Sequence, residues 1–196
     1  MILPIVAYGD PVLRRKAKAI NSQFPKLGEL LKNMFETMYA ARDIGLAAPQ
    51  IGMPIRIFIV DAAPFSDDKD LTQNERDLVS NFKRVFINAK IVAETGSEWA
   101  FNEGCLSIPD INEDVFRKEQ LTLNYVDENF NPHTETFTGI IARIIQHEYD
   151  HIEGILFTDK LSGLKKRLLK SRLANISKGK IDVKYKMRFP LSKKKC

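Results

Sequence analysis

Apolar residues recur at helical spacing in three stretches of this chain and at strand spacing in four others. Leu27, Leu30, Leu31, Met34, Phe35 and Met38 follow i, i+3, i+4, i+7 spacing, which predicts an amphipathic helix from Leu27 to about Ala41. Pro25 sits near its start and Gly45 lies beyond its end. A second helix is predicted between Thr138, placed as N-cap, and Gly154, a C-terminal stop. A third, Leu161 to Ile176, puts Leu161, Leu164, Leu168, Leu169, Leu173 and Ile176 on one face with Lys and Arg opposite. Ile55–Val60 is β-branched and aromatic and predicts a strand; Val85–Ala93, Leu121–Val126 and Thr134–Thr138 are strand-like too. Gly45–Gly52, flanked by glycines and broken by Pro49, is predicted as loop. Residues 61–82, polar and acidic, are predicted as a surface excursion. Strands first, one helix through the middle and another at the end, predict an α+β fold. No internal repeat is found.

Composition narrows the class. The chain has 196 residues, 44% of them hydrophobic, which excludes wholesale disorder, and only 10 Gly and 9 Pro, which excludes collagen-like sequences. The longest apolar run, Ile57–Val60, is far short of the roughly 20 residues a membrane-spanning helix needs. Met1–Asp10 has no basic stretch before its apolar residues, so the expected compartment is the cytosol. Two cysteines, Cys105 and Cys196, are too few for a disulfide framework. The net charge of +5 hides an asymmetry: residues 160–196 hold 14 Lys+Arg and one acid, Asp182, against an acidic remainder. Such a segment suggests a polyanionic neighbour such as RNA, or a solvated helix and tail.

The second predicted helix carries chemistry. His147-Glu148-Tyr149-Asp150-His151 is an H-E-x-x-H pattern. Residues i and i+4 share one helix face, so both imidazoles can reach one cation at about 2.0–2.1 Å. Glu148 points to a neighbouring sector and is a candidate general base. Ile140 and Ile144 share the histidine face, so the ligand face is also apolar. His133, in the turn-like Asn131-Pro132-His133, is expected to be exposed. A catalytic site usually has three protein ligands. A third histidine six residues on is excluded, because position 157 is Phe157. Glu94, Glu98, Glu103, Glu113, Glu153 and Cys105 all remain open as the third ligand. The ordinary reading of H-E-x-x-H alone is a zinc endopeptidase, and the basic segment alone would suit an RNA-binding module.

Three segments together resemble the peptide deformylases: Gly45–Gly52 (GLAAPQIG), Glu103–Pro109 (EGCLSIP) and Gln146–His151 (QHEYDH). Asp10–Arg14 and Gly154–Asp159 add to the likeness, which covers about residues 3 to 165. The resemblance implies a catalytic domain over 1–165, with 166–196 as a basic C-terminal helix and tail. It implies mixed and antiparallel strands packed around a central metal-binding helix. It implies Cys105, His147 and His151 as metal ligands, Glu148 as general acid/base, and Gln50 with the backbone N–H of Leu106 as donors to a developing oxyanion. Gly45 matches a position that contacts the substrate backbone. The implied reaction removes the N-formyl group from the initiator methionine of new polypeptides, releasing formate. The implied metal is Fe²⁺, with Zn²⁺, Ni²⁺ or Co²⁺ as substitutes. Ile44, Phe101, Ile140 and Ile144 are candidates for an apolar methionine slot, and Glu103 for a contact with the substrate main chain. The basic segment is expected to help the enzyme dock near the ribosomal exit. Two positions depart from the family pattern: Asn112, where many relatives have Arg, and Arg143, where many have an apolar residue. Both are expected at the pocket rim. Asp150 is expected to orient a ligand or pair with Arg143.

Overall fold

The computed structural model describes residues 1–69 and 71–191. Cys196 and the Lys193–Lys195 run lie outside them. The strands are β1 (Ile5–Val6), β2 (Gly45–Ala47), β3 (Ile57–Asp61), β4 (Lys83–Glu103), β5 (Glu113–Val126), β6 (Pro132–Thr138) and β7 (Met187–Arg188). The α-helices are α1 (Leu27–Ala40), α2 (Gln73–Ser80), α3 (Gly139–Glu153) and α4 (Gly163–Ser177). Strands β2-β3-β4-β5-β6 form one antiparallel sheet in that order, and β1 pairs in parallel with β7. The class is α+β, as the pattern predicts.

The alternation along β3 explains the layering. Phe58 and Val60 join Ile141, Ala142 and Ile145 of α3 in one core cluster, whereas Ile57 and Ile59 join Leu31, Met34 and Met38 of α1 in another. Successive strand side chains point to opposite faces, so α3 covers one face of the sheet and α1 the other. Ile57, Phe58, Ile59 and Val60 are all fully buried, which is why this part of β3 reads as an unbroken apolar run. Helix α3 stops at Gly154, whose φ of 76° suits glycine. A Cβ there would stand 2.7 Å from the Arg14 carbonyl oxygen. Thr138 is the N-cap by position, but its side chain makes no capping hydrogen bond.

Several elements differ from the sequence expectation, each for a physical reason. The strand expected at 85–93 runs on to Glu103, and the one expected at 121–126 begins at Glu113. Beyond Ala93 the β4 side chains are mostly exposed, so hydrophobic alternation fades while the backbone ladder continues. Register shifts near Lys90, Ala93 and Glu98 mark bulges in that ladder, and bulges bend a strand. The expected loop 45–52 holds β2, paired to β3, followed by a 3-10 turn, Ala48–Ile51. The expected excursion 61–82 contains a 3-10 turn, Ala63–Asp67, and α2, whose start is a Thr72–Glu75 capping box. In α4, Leu169, Leu173 and Ile176 are buried, but Leu164 and Leu168 are 65% and 70% exposed. Those two lie one position ahead of the buried row, about 100° round the helix.

Candidate active site

Helix α3 and the segment after β4 bring three metal-capable groups together. Cys105, His147 and His151 offer ligand atoms that all lie within 4.8 Å of one another. The Cys105 Sγ to His151 Nε2 distance is 3.4 Å. Two ligands on one tetrahedral ion, at the usual Zn–S and Zn–N lengths, would stand about 3.5 Å apart. The i, i+4 spacing of the histidines places their rings 5.0 Å apart, edge to face.

Each ligand nitrogen is defined by what the other ring nitrogen does. His147 Nδ1 lies 3.0 Å from Glu103 Oε2, which leaves Nε2 for a metal. His151 is buried, and burial, with the neighbouring His147, pushes its pKa well down, so it stays neutral as a ligand must. Its Nδ1 has no hydrogen-bond partner among the described residues. Burial pushes the Cys105 thiol up, which is the cost a bound cation would offset by stabilising the thiolate. The donor set therefore fits a divalent metal with a position left for substrate or water.

Glu148 sits beside this cluster with Oε2 buried and without a hydrogen-bond partner among the described residues. Burial, reinforced by the Asp43 charge, pushes its carboxyl well above the ordinary value. A carboxyl raised in this way holds a proton more readily, which suits an acid/base group. Gly45, in the edge strand β2, makes room for it: a Cβ there would stand 2.4 Å from Glu148 Oε1. Gln50 is fixed by a hydrogen bond from Ala47 N to its Oε1 at 2.8 Å, which turns Nε2 towards Cys105 Sγ at 3.5 Å.

The metal-capable group opens onto a cavity of about 710 Å³. Gln50, Cys105, Leu106, His147 and Glu148 line it, and so do the apolar Ile44, Phe101, Ile140 and Ile144. Glu103 lines the cavity too, and it does more than the sequence reading gave it. Both of its carboxylate oxygens are occupied, Oε1 by Arg117 Nε (2.7 Å) and Arg143 Nη1 (3.0 Å), Oε2 by Arg117 Nη2 (2.9 Å) and His147 Nδ1. Its side chain therefore orients His147. Burial alone would raise its carboxyl, but Arg117 and His147 outweigh it and hold the group well below the usual range.

Arg143 also differs from expectation. It is fully buried, not on the rim, with Nη1 also donating to Val115 O (3.0 Å) and Nη2 to Trp99 O (2.6 Å), and its guanidinium lies 4.4 Å over the Trp99 ring. The aromatic face and the Glu103 carboxylate together let a cation replace an apolar residue here. Asp150 pairs with Arg117 (2.6 Å) and Lys160 (3.2 Å) and not with Arg143. His133 is half-buried, 3.0 Å from Asp127 and stacked on Tyr125. Arg117 and Tyr185 carry no motif, and the sequence reading missed both. A buried acid inside a motif needing a cation is the one signal that pointed towards Arg117.

The chain is similar to known proteins over most of its length. The sequence model of the family described as Polypeptide deformylase matches residues 2–167. The peptide deformylase of Christiangramia forsetii is 64% identical over 194 residues, 99% of each chain. That of Flavobacterium johnsoniae is 60% identical, again over 99% of each. A crystal structure of a peptide deformylase from Legionella pneumophila superposes with a TM-score of 0.76 at 36% identity, covering 92% of this chain and 98% of that one.

Proposed function

The chain belongs to the polypeptide deformylase family, and from that premise we propose which residues carry the reaction and how. It is a metal-dependent hydrolase that removes the N-formyl group from nascent polypeptides. The observation that carries the assignment of roles is the 3.4 Å approach of Cys105 Sγ to His151 Nε2 beside Glu148, whose buried Oε2 has no hydrogen-bond partner among the described residues.

Cys105, His147 and His151 would hold the metal, which when bound polarises a carbonyl and lowers the pKa of water. Glu148 takes the proton of the attacking water and delivers it to the amine nitrogen as the formyl C–N bond breaks. Formate and a free amino terminus result. As the formyl oxygen gains charge, the Gln50 amide and the Leu106 N–H donate to it; one such donor is typically worth about 3–4 kcal/mol of barrier. The Ala47 hydrogen bond keeps Gln50 from rotating its oxygen into that place.

The methionine side chain occupies the apolar part of the cavity, formed by Ile44, Phe101, Ile140 and Ile144. Burying it contributes about 1.5–3 kcal/mol. Gly45, at the sheet edge, leaves the substrate backbone free to approach β2. The resident metal is Fe²⁺, which a thiolate and two imidazoles accommodate, with Zn²⁺, Ni²⁺ or Co²⁺ as replacements. The Cys105 thiolate on iron then makes the enzyme oxidation-sensitive. Metal analysis after anaerobic purification, paired with formate release from an N-formyl-methionyl peptide, tests both points. Cleavage of internal peptide bonds without formate would replace this reading with an endopeptidase.

The substrate emerges from ribosomes, so the reaction belongs in the cytosol. No helix among the described residues is long and apolar enough to cross a membrane. Arg167, Lys170, Lys178 and Lys180 are exposed on α4 and just beyond it, and this basic face docks on the ribosome. Changing all four to Gln should weaken ribosome co-sedimentation, most at low salt; unchanged binding would remove the contact.

A further inference from the structure

The segment that follows α4 lies beyond the 2–167 family match, and its two ends are fastened. Lys180 N donates to Asn175 O at 2.9 Å and Leu191 N to Ser177 O at 3.0 Å. Between them Lys186 O and Arg188 O accept from Ile5 N (2.8 Å) and Ala7 N (2.9 Å), forming the β1–β7 pair. Arg188 adds an ion pair to Asp10 at 3.5 Å. Thus fastened, Asp182, Val183, Lys184 and Tyr185 line the cavity that holds Cys105 and Glu148.

Tyr185 touches the ligand loop directly. Its hydroxyl donates to the Leu106 carbonyl oxygen at 2.7 Å, and its ring packs on the cluster that contains Leu46, Ala48 and Leu106. Burial pushes the hydroxyl pKa up, so it remains a donor. Three successive carbonyls of the loop thus have three separate fasteners. Cys105 O accepts from Ile108 N (2.9 Å) within the loop, and Ser107 O from Tyr8 N (2.8 Å) of the N-terminal segment. Among the described residues, Leu106 O is held by Tyr185.

We infer that Tyr185 is a positioning residue for the deformylation: it fixes Leu106 so that the Leu106 N–H points at the formyl oxygen. The inference rests on the role given to that N–H above. Tyr185→Phe keeps the ring and removes only the hydroxyl. In the metal-loaded full chain, with an N-formyl-methionyl peptide, kcat should fall about tenfold while KM stays within about twofold, as expected when an interaction made in the transition state is weakened. Metal content and unfolding midpoint should match the parent. Tyr39→Phe, which removes a hydroxyl bonded to Asp61, should leave kcat and KM unchanged. A parental kcat in Tyr185→Phe overturns the inference. So does a fall in kcat matched by an equal loss of bound metal, which would make the hydroxyl a support for the loop's fold only. A parental enzyme that releases no formate instead sinks the reading on which the inference rests.

Discussion

The two walls of the active-site cavity are built on opposite principles. The rear wall, which includes Glu103 and Arg143, is backed by a charged lattice of those two with Arg117 and Asp150, all nearly excluded from water, with each acid bonded to more than one group. The front wall is a half-exposed strap that packs against the ligand loop and bonds it through the Tyr185 hydroxyl. Rear contacts over-determine one rigid object, the imidazole of His147. The front contact sets the attitude of one peptide. A buried ionic lattice is a poor source of net stability, but it tolerates little movement, which is what a metal ligand needs.

Glu148 stands between the walls and gives the largest expected effect. Glu148→Gln should lower kcat by about 10²–10⁴-fold with metal content unchanged, as measured by formate release and metal analysis. A parallel loss of metal would mean that it also belongs to the rear lattice.

Breaking that lattice comes next. Arg117→Leu leaves Glu103 and Asp150 buried without their shared cation and should cost about 3–5 kcal/mol of stability and about 10–100-fold in metal affinity, read by denaturant melts and metal titration. Because Glu103 is held below its ordinary range, its contribution is fully present above about pH 4.3. It is lost as pH falls through the lower folded value. The gap between parent and variant should therefore narrow in acid. An equal gap at all pH values would contradict the role of Glu103.

Arg143→Leu should be milder, at about 1.5–3 kcal/mol, because Arg117 still satisfies both Glu103 oxygens. Metal affinity should stay near that of the parent. A loss as large as for Arg117 would show that the two cations act as one unit. Arg188→Gln, which releases the front strap from Asp10, should cost under about 1 kcal/mol, since that pair is half-exposed. A larger loss would mean that the front is as rigid as the rear.

The same contrast separates what was legible in the sequence from what was not. His147 and His151 could be read because helical spacing is local, and Ile140 and Ile144 followed from the same face. Cys105 needed the resemblance, since spacing alone left six candidates open. The bonding of Glu103 to Arg143 and Arg117 spans 40 and 14 residues. It depends on the bulged course of β4 beyond Ala93, where polar exposed positions carry no periodic signal. Arg143 was expected at a rim because a buried guanidinium becomes tolerable only once Trp99 and Glu103 are seen around it. Tyr185 belongs to a stretch that reads as basic tail, and its partner is 79 residues away.

That separation bears on how the enzyme comes into being. The ligand loop and α3 can pack as soon as they leave the ribosome, but the strap that braces Leu106 is synthesised after every other described element. Its pairing with β1 closes a loop spanning nearly the whole chain, and such contacts form late in folding. A growing copy of this protein can thus assemble its cation-binding groups while still tethered, yet reach full turnover only once translation has delivered the strap.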